Sequence, residues 1–307
     1  MLRFIATRIA AGAIQLFLLL VIVFIAVRLA GDPADVLLPI TASPEEAQEI
    51  SRALGLDQPI SVQFGRYVRN LVNGDFGRTF KTNQPVGPLV LGRLANSAKL
   101  ALGAALVVIV WAVPVGVLAA RYVGTAVDTG ANTAAVVGLA IPNFFLGILL
   151  VRIFSVDLGW LPTSGMGDWT HYVLPAVALG TGIGAGAMRL MRSGMLDVRE
   201  EPFIRTAYAK GLSPWVVTWR HQFRAGVMPL LTYSGMYFAT LLGGSVVVEV
   251  VFAWPGMGRL AYESALGRDF PVLQAIVLLL GIVIIVANSL VDAAYAYVDP
   301  KLRLTSR

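Results

Sequence analysis

The sequence predicts an all-α integral membrane protein with six transmembrane helices, and three observations carry that expectation. The 307 residues are 57% hydrophobic and only 14% charged, with a mean hydropathy of +0.73, outside the composition of ordinary soluble domains. Six apolar stretches are long enough to cross a hydrocarbon core of about 30 Å, which takes about 20 residues of helix. Basic residues collect in alternate connections, as the positive-inside rule requires.

The expected spans are Ile9 to Leu29, Ala98 to Ala120, Ala131 to Phe154, Tyr172 to Leu190, Val227 to Phe252, and Val272 to Val298. The first is too long for a signal-peptide core and lacks a small-x-small cleavage site, so it reads as a retained span. Arg3, Arg8, Arg121, a cluster around residues 198–226, and Lys301, Arg303 and Arg307 all fall on one side of this arrangement. That side is expected to be cytoplasmic, with both termini inside. The opposite connections carry no basic residue between Ser155 and His171, and only Arg259 and Arg268 between Ala253 and Pro271.

The first outer segment, Ala30 to Ser97, has helix signals of its own. Ser43-Pro44-Glu45-Glu46 is a capping box with Pro at the first helical position, and Gly55 closes the helix it opens. Phe64, Tyr67, Val68 and Leu71 then recur at helical spacing, a stripe expected to pack on the outer ends of the spans or at the interface. The stretch Asn73 to Phe80 is turn-rich.

Several span residues are polar or break helices. Pro114, Pro142 and Asn143 loosen the backbone ladder, which lipid tolerates only where a neighbouring helix or a cavity satisfies the freed groups, so their helices should face inward. Glu249 and Asp292 are intramembrane acids, expected to be internally paired or functional. Arg28 and Arg152 can snorkel from span ends. Gly180, Gly182, Gly184 and Gly186 alternate inside an apolar run with no preceding strand, and they read as close-packing positions, not a phosphate loop.

The most distinctive stretch is polar and basic, from Val198 to Pro229. Pro202 opens a short helix and Gly211 stops it; Ser213 caps and Pro214 opens a second, over Trp215 to about Arg224. Seven basic residues (Arg189, Arg192, Arg199, Arg205, Lys210, Arg220, Arg224) lie in or beside it. Order in so cationic a loop suggests a protein partner, although a basic loop touching only water and headgroups fits the same charges. On the first helix Phe203, Ala207 and Lys210 are expected on one docking face by the i, i+4, i+7 rule.

Other function classes fare poorly. The net charge of +6 and pI near 9.8 belong to topology, since no basic, aromatic-interleaved surface segment for nucleic acid stands apart from the spans. The chain has no cysteine and two histidines, His171 and His221, on opposite expected sides, which argues against metal catalysis. No cluster of carboxylates or histidines supports a membrane enzyme using Glu249 or Asp292, and neither inverted repeats nor coupling charges support a secondary carrier. No Gly-Lys-Ser/Thr sequence occurs, so any nucleotide would be bound by another chain.

The chain resembles the membrane-spanning subunits of bacterial ABC importers, and among them the dipeptide/oligopeptide permease B-type family. Phe203-Ile-Arg-Thr-Ala-Tyr-Ala-Lys-Gly211 is similar to that branch's form of the EAA motif, with Arg205, Thr206 and Ala207 where the general motif has Glu-Ala-Ala. Pro229 lies beyond the general spacing, as it does in this branch. Gly74 to Phe80 with Pro85-Val86, Phe252 to Leu260 with Arg268 to Pro271, and Asp299 to Arg303 resemble further hallmarks of it. The resemblance implies a type I importer permease fold in one transmembrane domain over 1–307, with 30–97 extracytoplasmic and 198–226 a cytoplasmic coupling loop. It implies that Phe203, Arg205, Thr206, Ala207, Tyr208, Lys210 and Gly211 couple to ATPase subunits, with Asn143 and Glu249 as candidates for the translocation path. It also implies a second permease subunit, two ATPase subunits holding ATP and Mg, an extracytoplasmic substrate-binding protein, and no cofactor or enzymatic site in this chain. The expected cargo is a peptide, with nickel chelates, glutathione, opines or sugars as alternatives.

Overall fold

The computed structural model describes residues 2–30, 44–231, 233 and 245–298. The helices, in chain order, are α1 (Leu2–Ala30), α2 (Pro44–Leu54), α3 (Ile60–Val72), α4 (Val86–Arg121), α5 (Ala126–Ala140), α6 (Asn143–Leu150), α7 (Thr170–Arg199), α8 (Pro202–Ala209), α9 (Pro214–Val216), α10 (Phe223–Gly226), α11 (Val246–Val251), α12 (Met257–Leu266) and α13 (Phe270–Val298). π-Helical turns occupy Val151–Asp157 and Val217–Gln222, and no strand is present among the described residues. Four helices there are long and apolar enough to cross a membrane (α1, α4, α7 and α13), with α5 and α6 a fifth if their bent pair is one span. Residues 232 and 234–244 of the expected crossing Val227 to Phe252, the Ser43 cap, the Asp292 side chain and the Asp299-Pro300 stop lie outside the described residues.

The centre of the molecule is the pair α4 and α7. Toward one end Leu100, Ala101 and Ala104 pack with Leu174, Ala176, Ala178 and Leu179; toward the other, Ala112, Val117 and Ala120 pack with Met188, Met191 and Met195. Alanine and glycine allow the approach. A Cβ on Gly180 would lie 2.9 Å from the Ala104 carbonyl oxygen, one on Gly184 2.5 Å from the Trp111 ring, and one on Gly116 2.7 Å from the Met188 carbonyl oxygen. In lipid, where apolar side chains gain nothing by leaving hydrocarbon, such backbone proximity is what holds helices together.

The expected third span, Ala131 to Phe154, is not one helix. α5 and the helix from Asn143 to Asp157 meet at 100°. Pro142 is the cause: it supplies no backbone donor, and its ring drives Ile141 into extended geometry (φ −82°, ψ 119°). Asn143 opens the next helix at the corner, and its Oδ1 would lie 2.9 Å from a Cβ on Gly182 of α7. Gly182, the second glycine of the alternating run, therefore makes room for the bend.

α3 packs as its stripe predicts. Phe64 meets Phe17 and Phe24 of α1 with ring centroids 6.3 and 5.1 Å away, and Tyr67 lies 5.7 Å from Phe24. Arg28 does more than snorkel: it lies 3.5 Å over the Phe24 ring and donates to Gln63 Oε1 from Nε at 3.1 Å and from Nη2 at 2.7 Å. Gln63 is fixed in turn by donating to the Leu56 and Gln58 carbonyls at 2.9 and 2.8 Å.

Candidate functional site

The basic stretch folds as helix, glycine corner and helix, at the end of the bundle where α4 and α7 finish. Pro202 stands at the first turn of α8 after Glu201 in extended geometry. Gly211, at φ +76°, ends the helix in the left-handed region that other residues enter only with strain. Ser213 accepts from the Val216 N–H at 3.5 Å and opens the second arm. The middle of that arm, Val217–Gln222, is π-helical. Trp215, Trp219 and Phe223 stack along it with centroids 5.7 and 5.6 Å apart.

Burial corrects the expected docking face. Ala207 is 5% exposed and packs inward with Ile204 and Val217 against Val198 and Leu212, whereas Phe203 is 45% exposed. Phe203, Ala207 and Lys210 therefore do not form one outward face. The rule of three and four selects residues sharing a side of α8, but Ile204 already commits that side to the core, and Ala207, three residues on, follows it. The outward surface carries Phe203, Arg205, Thr206, Tyr208 and Lys210, with Gly211 exposed at the corner. Ala207 is an inward anchor for that surface.

The loop is held to the bundle at three further places. Gly226 and Gly194 of α7 meet backbone to backbone, a Cβ on Gly226 falling 2.9 Å from the Gly194 carbonyl oxygen. The buried Gln222 donates to the Met195 carbonyl at 2.6 Å. Arg121, the last residue of α4, donates from Nη1 to Thr218 Oγ1 at 3.1 Å, while Thr218 donates to the Pro214 carbonyl at 2.9 Å. One turn back on α7, Arg192 forms a two-pronged ion pair with Asp128 at the start of α5 (2.6 and 2.8 Å). Asp128 also accepts from the Gly124 N–H at 2.9 Å and from Asn132 Nδ2 at 2.7 Å. The basic loop, α4, α5 and α7 are joined here by side-chain and backbone contacts.

Glu249 lies far from the loop, in α11, completely buried. Ser97 of α4 donates to its Oε1 at 2.6 Å, Ser245 at 2.9 Å, and the Arg259 N–H to Oε2 at 3.0 Å. Ser97 accepts in turn from the Met257 N–H at 2.8 Å. Gly256 packs directly on the carboxylate. Around this knot the Phe252 to Leu260 turn closes: buried Trp254 donates to the Asn96 carbonyl at 3.1 Å, and Arg259 donates to the carbonyl of Ala253 (φ 47°) at 2.6 Å. Glu249 thus carries the hydrogen-bonding role open to it from its sequence. Asn143, at the α5–α6 corner, is partly exposed.

Sequence reading misses the Asp128–Arg192 pair, whose members are 64 residues apart. The available signal is that Asp128 is the one charged residue in the Ala126–Ala140 stretch, a position where a charge must find a partner. The Gly194–Gly226 contact leaves no comparable signal, because both glycines read as ordinary small residues.

Comparison with known proteins follows this architecture. The family model described as "Binding-protein-dependent transport system inner membrane component" matches residues 112–304, and the model of its N-terminal region matches residues 1–102. The glutathione transport system permease protein GsiC of Salmonella paratyphi A is 40% identical over 304 residues, covering 99% of both chains, and that of Escherichia coli K12 is 39% identical over the same share. Among solved structures, the MetNI methionine ABC transporter in an inward-facing conformation aligns with a TM-score of 0.58 at 18% identity, covering 69% of this chain and 96% of the other. A chain of an amino acid ABC transporter aligns at 0.54 and 16% identity, covering 68% and 94%. These last two speak to the fold alone. With two family models and near-full-length relatives in agreement, the chain belongs to the binding-protein-dependent transport system inner membrane components, as an ABC importer permease of the dipeptide/oligopeptide permease type.

Proposed function

We infer that this permease carries peptide-class solutes across the cytoplasmic membrane, driven by ATP that other subunits bind. The observation that carries the coupling is the loop itself: Phe203, Thr206, Tyr208 and Lys210 face outward from a helix whose opposite side, Ile204 and Ala207, packs on Val217 of the second arm and Val198 at the end of α7. A surface so backed transmits displacement to α4 and α7 without absorbing it. The chain forms one transmembrane domain crossing lipid six times, Val227 to Phe252 supplying the remaining span. Both termini and 198–226 are cytoplasmic, and 30–97 is extracytoplasmic. It pairs with a second homologous permease subunit, two ABC ATPases holding ATP and Mg, and a substrate-binding protein outside. Closure of the ATPases draws the two coupling loops together and opens the path outward; hydrolysis resets it. This chain binds no cofactor and performs no bond chemistry. Asn143, at the corner of the bent pair, is the candidate path residue, and Glu249 serves the path by holding the outer turn.

Glutathione is a second cargo reading, favoured by the names of the relatives, and being a small peptide it falls within the same class. The test is uptake of labelled dipeptide, oligopeptide and glutathione by native cells with and without this chain, alongside mass spectrometry of what copurifies with it in mild detergent. A second permease chain and Walker-type ATPases in fixed ratio, with loss of peptide or glutathione uptake on deletion, is the expected result. Recovery of this chain alone with ATP-independent uptake contradicts the reading.

A further inference from the structure

A cleft of about 190 Å³ opens behind the docking loop, where the end of α4, the end of α7 and helices α8 and α9 converge; Arg121, Arg199, Tyr208, Thr218 and Gln222 are among its lining. Its charge is one-sided. Arg121 and Arg199 form no ion pair among the described residues. Arg121 has one protein acceptor, the Thr218 hydroxyl, and its buried Nε has none. Its guanidinium otherwise meets ring faces, 5.4 Å from the Trp215 centroid and 5.5 Å from that of Tyr122. The contrast with Arg192, about two α7 turns deeper than Arg199 and matched by Asp128 on two prongs, is direct. A guanidinium presents five donors and cannot shed its charge, and a sheltered donor without an acceptor is costly.

We propose that this cleft is a binding site for a phosphate-type oxyanion, held between the Arg121 and Arg199 guanidinium groups with the Tyr208 hydroxyl as an additional donor. Arginine's planar fork matches the oxygens of phosphate. The volume is below the roughly 300–1,000 Å³ of drug-sized ligand sites, which suits a single phosphate group and not a nucleotide or a transported peptide. An anion there bridges α4, α7 and α8, the elements that connect the docking loop to the bundle, so occupancy stiffens that connection. The same chemistry is offered by free phosphate and by the headgroup of an anionic phospholipid, since the cleft adjoins the ends of spanning helices. The inference rests on the cleft and not on the transport reading.

The experiment is thermal unfolding of the full chain, purified with the subunits that accompany it, in two arms. One titrates inorganic phosphate against chloride at constant ionic strength, which removes general screening. The other compares nanodiscs of phosphatidylcholine with nanodiscs containing phosphatidylglycerol. A saturable rise in melting temperature with phosphate, weakened about tenfold or more in affinity by Arg121→Gln and by Arg199→Gln, identifies a soluble anion. A rise with phosphatidylglycerol alone, lost in the same variants, identifies a headgroup. Arg199 is exposed, so its variant keeps the test valid should Arg121→Gln fail to fold. No response to either probe, or responses equal in wild type and both variants, overturns the proposal.

Discussion

Replacing Gly194 by alanine tests whether the basic loop is fused to α7. In the interior of a helix Gly→Ala ordinarily stabilises by about 0.8–1.0 kcal/mol, since alanine loses less backbone entropy. Here the added Cβ would collide with the Gly226 carbonyl oxygen, and the neighbour is backbone, unable to swing aside as a flexible side chain would. Overpacking of this kind costs about 1–3 kcal/mol, so the net effect is destabilisation by up to about 2 kcal/mol, opposite in sign to propensity. Gly130→Ala in α5 is the control, because nothing lies within 4 Å of its added Cβ; it should gain up to about 1 kcal/mol. Unfolding of both variants in detergent measures the sign. In the reconstituted transporter, Gly194→Ala should also lower solute moved per ATP hydrolysed, because the loop no longer sits firmly on α7. If Gly194→Ala stabilises as much as Gly130→Ala and transports normally, the backbones do not meet and the relay is wrong.

Three further perturbations separate the parts of the site. Ala207→Asp buries a carboxylate among Ile204 and Val217 and should unfold the loop, lowering stability by several kcal/mol; Phe203→Ala, on the exposed side, should leave stability within about 1 kcal/mol while weakening retention of the ATPases during copurification. Arg192→Met removes the ionic partner of Asp128 and should lower stability, while the double variant Asp128→Leu/Arg192→Met recovers much of that loss; additive losses in a double-mutant cycle would show the pair to be uncoupled. Glu249→Gln replaces one carboxylate oxygen by an amide donor, which faces another donor either way round: the Arg259 N–H on one side or the Ser97 and Ser245 hydroxyls on the other. It should destabilise the outer turn by about 1–3 kcal/mol, and a melting temperature equal to wild type would refute the knot.

The division between what sequence reveals and what it conceals has a physical basis. Local rules succeed where the determinant is local: Pro202 and Gly211 bound α8, Ser213 caps the second arm, and Phe64 and Tyr67 mark the side of α3 that packs on α1. They fail where a side chain's partner is distant. Spacing alone puts Ala207 on one face with Phe203 and Lys210, yet Val217, ten residues away on the other arm, draws it inward. Pro142 announces a weakness in its span, but the 100° angle depends on Gly182 of α7 leaving space for Asn143. Glu249 reads as an intramembrane acid in search of a partner, and the partners arrive from Ser97, 152 residues earlier, and from a backbone N–H that no residue code displays.

The central claim, that the outward side of α8 docks on an ATPase, is tested most directly by cross-linking. The chain contains no cysteine, so Thr206→Cys introduces a single thiol on the exposed side of α8. Labelled with a maleimide photocrosslinker in native membranes and illuminated, it should capture a Walker-type ATPase subunit identifiable by mass spectrometry, at a yield that changes with ATP. Capture of lipid alone, or of no ATPase under any nucleotide condition, would contradict the account.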